Sequence, residues 1–114
     1  VLDTAEELAR ELLWPHYQSD DAIGATFDGA AAHVPPGARA VWTAFRDGGW
    51  FAPMAPYDMG GQQLPHSVGA SLAFLFNAAN TSAYMYVGAA TGAALLIENH
   101  GTDEQKAFYL PRLY

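Results

Sequence analysis

The C-terminal part of the chain combines the end of one helix with the start of another, which commits this region to helical structure. Gly101 suits the left-handed position that commonly follows the last turn of a helix. Thr102 and Gln105 have the T-x-x-Q spacing of a capping box, in which the two side chains bind backbone N–H groups reciprocally. We therefore predict one helix that ends near Asn99 and a final helix that runs from Asp103 to the end.

Apolar residues at steps of three and four predict helices in the first half of the chain as well. The first helix starts near Asp3 and is expected to fade near Trp14, because Pro15 disfavours helical geometry in the residue before it. A long, mostly solvent-facing irregular connection is predicted next. Pro36 then suits the first turn of a short second helix, which should end at Gly48.

Residues 50–65 contain three prolines and two glycines, which exclude regular secondary structure. Aromatic side chains such as Trp50 and Phe51 would be costly to leave in water, so we expect this Pro/Gly loop to be ordered. Helical spacing returns after Pro65, and either Asn80 or Thr81 is expected to cap a long helix over 82–99. The predicted fold class is all-α: an orthogonal or up-down bundle of about five helices with a long ordered loop.

The composition favours a single domain over residues 1–114 that belongs to a larger protein. Charged residues make up 15% of the chain and apolar residues 51%, whereas an ordinary soluble domain has about 25% charged residues. A chain of this composition has few charged side chains to cover its surface, which is typical of domains whose faces pack against other protein. A net charge of −7 disfavours nucleic acid as a partner.

Several classes of site and location are not indicated by the sequence. The chain has no cysteine, so it has no disulfide or thiolate metal site, and no apolar run is long enough for a membrane span. The first residues lack the pattern of a signal peptide, which favours a cytoplasmic location. The four histidines lack metal-ligand spacing, so no metal site is predicted: His16, His33, His66 and His100.

Two groups of carboxylates are weighed as reactive groups and set aside. Asp20 and Asp21 are adjacent, so their side chains diverge, and both are expected to be solvated. Glu98 lies where a helix ends, and a solvated carboxylate is also the expectation there. We assign no catalytic residue to this chain.

One face of the fourth predicted helix, α4, over 82–99, is the candidate site, and we call its residues the α4 stripe. Two glycines lie on it, although a glycine inside a helix costs about 1 kcal/mol relative to alanine. Close approach of a neighbouring helix would explain them, and so would room for a ligand chain; the sequence leaves both explanations open. The stripe consists of residues at steps of three and four: Tyr84, Gly88, Thr91, Gly92 and Leu95.

Two stretches carry a resemblance to a known family. The pattern G-T-D-E-Q-K-x-x-Y-L-P-x-L over 101–113 resembles the end of the N-terminal helical domain of acyl-CoA dehydrogenases. The stretch P-Y-D-M-G-G-Q-Q-L-P over 56–65 is similar to that family's P-x-x-x-G-G-x-G-L-P loop. Met59 replaces a common aromatic and Gln63 a frequent glycine, so a stiffer loop is expected. Residues 64–66 and 77–80 resemble the corresponding segments in the bacterial branch that contains methylmercaptopropionyl-CoA dehydrogenases.

The resemblance implies an activity that only the full-length protein would have. Members of the family are FAD-dependent oxidoreductases of fatty-acid metabolism that oxidise an acyl-CoA thioester at Cα–Cβ and pass electrons to an electron-transfer flavoprotein. They are homodimers or homotetramers. Their flavin and their glutamate base are held mainly by a middle β-domain and a C-terminal helical domain, both absent from this sequence, while the helix of the α4 stripe walls the acyl pocket. The alternatives are a non-enzymatic helical interaction module, or a family relative without dehydrogenase activity.

Overall fold

The computed structural model describes all residues from 1 to 114 as a flat slab of helices. Its dimensions are 42 × 40 × 19 Å, and the thinnest dimension corresponds to two helix layers, since packed helices lie about 8–10 Å apart. None of the helices is both long and apolar enough to cross a membrane. In chain order the elements are α1 (Leu2–Leu8), a π-helical turn (Ala9–Leu13), α2 (Trp14–Ile23), β1 (Thr26–Phe27), β2 (Ala32–His33), α3 (Pro36–Asp47), a 3-10 turn (Tyr57–Met59), α4 (His66–His100) and α5 (Asp103–Leu113).

The predicted fold class is confirmed. The first three helical segments form one continuous helix, and α4 is divided at Asn80, so that the chain has five straight helical segments. Asn80 has φ −162° and ψ 89°, and its Oδ1 accepts a hydrogen bond from the N–H of Ala83 over 3.0 Å. Of the two caps that the sequence allowed, Asn80 is therefore the one used.

The prediction that the first helix fades near Trp14 is wrong. In an α-helix Pro15 would lose a hydrogen bond and its ring would clash with the carbonyl of Glu11. The chain instead widens into a π-helical turn just before the proline, where the N–H of Trp14 donates to the carbonyl of Ala9. This wider turn accommodates the proline, and the helix continues to Ile23.

The end of α4 and the start of α5 agree with the sequence in one respect and differ in another. The capping box is confirmed, since Thr102 Oγ1 accepts from the N–H of Gln105 and the Gln105 side chain accepts from the N–H of Thr102. Gly101, however, is extended, with φ −72° and ψ 156°, and not left-handed. A glycine fits here for a different reason: a Cβ at Gly101 would lie 2.6 Å from the carbonyl oxygen of Ile97.

The core lies where the helical run of 2–23, α3 and α4 meet. Four aromatic rings form its centre, and Phe76 contacts the other three with ring centroids 4.6 Å away for Phe45 and 5.7 Å away for both Trp50 and Tyr84. These separations suit edge-to-face and tilted aromatic packing. Alanine and aliphatic side chains complete the buried cluster: Ala5, Ala9, Leu13, Val41, Leu72, Ala79, Ala83 and Val87.

Only 21 of the 114 residues are buried, and many large apolar side chains remain exposed. Exposed aromatic residues in particular are found on every helix from α2 to α5. Contiguous exposed apolar surface usually marks a contact with other protein. This distribution favours the prediction that the slab packs against further parts of a larger protein. Among the exposed aromatic residues are Trp14, Tyr17, Trp42, Phe74, Tyr86 and Phe108.

The connection between α2 and α3 contains a small antiparallel hairpin that the sequence did not predict. Asp28 holds its turn, because Oδ1 accepts from the N–H groups of Ala30 and Ala31, both over 2.8 Å. Its other oxygen lies 2.6 Å from Nε2 of His33. The backbone bond from Ala31, followed by the His33 bond, lowers the pKa of Asp28 to about 2.

The expectation that Asp20 and Asp21 are both solvated is wrong for Asp20. Asp21 is exposed, but Asp20 is only 7% exposed, and its Oδ1 accepts from the N–H of Gly37 over 3.2 Å. Gly37 lies in the first turn of α3, where backbone N–H groups lack partners within the helix. Asp20 thus caps α3 from the end of α2, while its Oδ2 has no hydrogen-bond partner.

Replacing Asp20 with Ala is expected to lower the free energy of unfolding by about 1–2 kcal/mol, because the N–H of Gly37 would be left without its acceptor. Asp20→Asn keeps an acceptor oxygen at this position and should lower the free energy of unfolding by less. Thermal unfolding of the full-length protein measures both, and Asp21→Ala is the matched control at the exposed neighbour. Equal losses for Asp20→Ala and Asp21→Ala would contradict the capping role.

Candidate functional site

The α4 stripe lies on the second half of α4, whose direction is set at Asn80. Besides capping this half, Asn80 donates from Nδ2 to the carbonyl oxygen of Leu13 over 3.1 Å. Asn80 is 1% exposed, so both ends of its amide are used inside the core. The residue therefore fixes where the second half of α4 starts relative to the first helical run.

Two members of the stripe face the packed side of the domain. The ring of Tyr84 is half-buried, with centroids 6.1 Å from Phe45 and 5.7 Å from Phe76. Burial raises the pKa of the Tyr84 hydroxyl. Seven residues further along, the hydroxyl of Thr91 donates to the carbonyl oxygen of Phe51 over 3.3 Å. Tyr84 and Thr91 thus attach the stripe to the core and to the Pro/Gly loop.

The other three members lie on the open side of α4. A Cβ added at Gly92 would meet no atom within 4 Å, and one added at Gly88 would meet only the ring of Tyr84, at 3.8 Å. Leu95 is 46% exposed. No helix of this chain approaches either glycine closely, so close helix packing inside the domain does not explain them. Gly88 and Gly92 thus leave an open floor on this side of α4, with Leu95 next to it.

The Pro/Gly loop is ordered, as expected, and meets the stripe at Thr91. Its backbone is held by internal hydrogen bonds from the N–H groups of Gln62 to Ala52, of Gln63 to Ala55 and of Leu64 to Pro53, with lengths from 2.9 to 3.2 Å. Gly61 permits this compact path, since a Cβ there would lie 2.0 Å from the carbonyl oxygen of Ala55. The loop therefore presents a fixed wall to its surroundings.

Gln63 is the one residue other than glycine with a positive φ, at 48°. A left-handed backbone costs a residue with a Cβ about 1–2 kcal/mol. Because glycine is frequent at this position of the family loop, we expect Gln63→Gly to raise the free energy of unfolding by about 0.5–1 kcal/mol after its larger loss of chain entropy. Thermal unfolding checks this, with Gln63→Ala as the control, because alanine keeps a Cβ at the same positive φ and should bring no such gain. A lower free energy of unfolding in Gln63→Gly would contradict the inference that the backbone is strained at Gln63.

Glu98, set aside as a solvated carboxylate, is instead a partner in a contact between two helices. Its Oε2 accepts a hydrogen bond of 2.6 Å from the hydroxyl of Tyr114, which follows α5. Burial first, and then the Glu98 carboxylate, raise the pKa of Tyr114 above its usual value. The sequence offered no signal for this pair, because the two residues meet only when α5 folds back on α4.

The residues of this chain do not by themselves fit a flavin site. The diphosphate of a dinucleotide needs several cationic side chains or free backbone N–H groups at one cavity. The cavity between the Pro/Gly loop and α5, of about 580 Å³, has Lys106 as its only cation, beside Asp58. The α4 stripe has no charged side chain. No three His, Asp or Glu side chains are grouped as metal ligands either.

Comparison with known proteins agrees with the resemblance seen in the two motifs. The family model described as "Acyl-CoA dehydrogenase, N-terminal domain" matches residues 1–114. The 3-methylmercaptopropionyl-CoA dehydrogenase of Ruegeria pomeroyi is 32% identical over 111 residues, which are 95% of this chain and 19% of that relative, so the chain spans about one-fifth of the relative's length. The chain belongs to the acyl-CoA dehydrogenase family and has the fold of its N-terminal helical domain.

Proposed function

We propose that the full-length protein is an FAD-dependent acyl-CoA dehydrogenase and that the α4 stripe helps to wall its acyl pocket. Family membership supports the reaction class, and the open floor at Gly88 and Gly92 supports the role of the stripe. An acyl chain needs a narrow apolar channel, and a helix side without side chains beside a rigid loop provides one boundary of such a channel. The observation that carries the pocket assignment is the open space at Gly92.

Each member of the stripe has a distinct role in this proposal. Gly88 and Gly92 form the floor along which the acyl chain lies. Tyr84 closes one end with a ring that the aromatic core holds in place. Leu95 supplies apolar contact at the other end, and Thr91 marks the border with the Pro/Gly loop.

The remaining parts of the proposal concern components outside this chain. FAD would be held mainly by the other domains, which would also supply the catalytic base. An electron-transfer flavoprotein is the proposed electron acceptor, and a homodimer or homotetramer in the bacterial cytoplasm is the proposed state. The substrate is an acyl-CoA. The named relative makes 3-methylmercaptopropionyl-CoA one candidate, and straight medium-chain or long-chain thioesters are the others.

The visible absorbance of the purified full-length protein tests the reaction class. We expect a flavin spectrum that bleaches when a suitable thioester is added, and the panel should contain 3-methylmercaptopropionyl-CoA and straight chains of increasing length. Without an acceptor the bleaching should persist. A colourless protein, or a flavin spectrum that no thioester bleaches, would contradict the proposal and favour a family relative without dehydrogenase activity.

A further inference from the structure

Thr91 uses its hydroxyl differently from comparable residues in the other helices. Thr43, Ser71 and Thr81 each donate to the carbonyl oxygen four residues earlier in their own helix. This is the common local bond for a hydroxyl inside a helix. Thr91 instead donates to the carbonyl oxygen of Phe51, which is 40 residues away in sequence. A local bond is thus replaced by a link between α4 and the Pro/Gly loop.

This is the one hydrogen bond between the loop and the second half of α4. The other hydrogen bonds of residues 50–65 join the loop to itself, to Phe45 in α3 through the N–H of Trp50, to Gly49 through the side chain of Gln62, or to the start of α4. Phe51 is 8% exposed, so its carbonyl would be left without a ready partner if Thr91 lost its hydroxyl. Together with the bond from Trp50 to Phe45 and the burial of Phe51, this bond holds the first part of the loop against the second half of α4.

Thr91 also lies at the border between the packed and the open side of the helix. A helix turns about 100° per residue, so Gly92 projects about a quarter turn away from Thr91. The loop makes its contact at Thr91, yet a Cβ at the next residue, Gly92, would meet nothing within 4 Å. The loop thus approaches the edge of the floor without covering it.

We infer that Thr91 is a positioning residue whose hydroxyl holds the Pro/Gly loop at the edge of the glycine floor and so sets the width of the acyl channel. This inference rests on the proposed function for its consequence in catalysis. The loop is the side wall, Gly88 and Gly92 are the floor, and Thr91 fixes the angle between them. Loss of the bond would let the wall move outward and admit wider acyl groups.

Thr91→Val and Thr91→Ser in the full-length protein test this inference. Valine matches threonine in shape and lacks the hydroxyl, whereas serine keeps it. For Thr91→Val we expect the ratio of kcat/KM for a branched over a straight acyl-CoA to rise roughly three- to tenfold, mainly through KM. Thr91→Ser should keep the wild-type ratio within about twofold. If Thr91→Val lowered kcat/KM by the same factor for branched and straight thioesters, the role of Thr91 would be merely structural and the inference would be overturned.

Hydrogen exchange of the same proteins gives a readout that does not depend on activity. In Thr91→Val the amides of Gln62, Gln63 and Leu64 should exchange roughly three- to tenfold faster than in wild type, because their bonds hold the loop that Thr91 anchors. Unchanged exchange in Thr91→Val would overturn the inference even in an active enzyme. If no thioester bleaches the wild-type protein, the proposed function fails, and the exchange rates alone then decide whether Thr91 positions the loop.

Discussion

Replacing Gly92 with Leu in the full-length protein is expected to lower kcat/KM for the longest accepted straight-chain acyl-CoA by about tenfold or more. The new side chain would occupy the open floor, where a Cβ now meets nothing within 4 Å, and would compete with the acyl chain for that space. For short thioesters kcat/KM should fall by less than about threefold. Steady-state kinetics with a chain-length series measures the change in preference.

The substitution is well suited to this question because it should not harm folding. Leu is a better helix former than Gly by somewhat less than about 1 kcal/mol, and a Cβ at this position meets no atom of this chain within 4 Å. Ala89→Leu is the matched control, since Ala89 is exposed on the same helix outside the stripe. An unchanged chain-length profile in Gly92→Leu, or the same change in Ala89→Leu, would remove the basis for the pocket assignment.

Replacing Phe76 with Ala should lower the free energy of unfolding of this domain by about 3–5 kcal/mol. Phe76 is 2% exposed and its ring contacts those of Phe45, Trp50 and Tyr84, so truncation would leave a cavity at the centre of the core. Because Tyr84 closes one end of the proposed channel, weaker binding of acyl-CoA should accompany the loss. Thermal unfolding and KM for acyl-CoA measure the two effects.

Phe74 provides the control for this prediction on the same helix. Its side chain is 72% exposed, so Phe74→Ala removes the same atoms without opening a core cavity and should cost less than about 1 kcal/mol. A loss for Phe76→Ala below about 1 kcal/mol, no larger than that expected for Phe74→Ala, would show that the aromatic cluster is not the centre of the core. It would also remove the structural reason for the fixed position of Tyr84.

Features that depend on a few neighbouring residues were predictable from the sequence. The capping box of Thr102 and Gln105 is set by spacing alone. A cap at Asn80 or Thr81 was predictable from their short polar side chains, and the structure shows that Asn80 is the one used. The order of the Pro/Gly loop followed from its aromatic residues, which need burial. The helical periodicity also predicted a stripe of five residues on the second half of α4, and its role in binding stays a prediction.

Features that depend on contacts between distant segments were not predictable. The sequence placed Asp20 in solvent, because nothing local indicates that Gly37 will lie against it. It ended the first helix near Trp14, because a π-helical turn that accommodates Pro15 has no simple sequence signal. It gave Gly101 a left-handed backbone, whereas the close carbonyl of Ile97 explains that glycine.

The sequence by itself determined the helical class, the positions of most helix ends and the family, because these depend on periodicity, capping chemistry and short motifs. Only the tertiary structure decided which side of the α4 stripe is packed. Tyr84 and Thr91 face the core and the loop, while Gly88 and Gly92 face open space. That division depends on how α3 and the Pro/Gly loop pack against α4, and the identities of the stripe residues do not encode it.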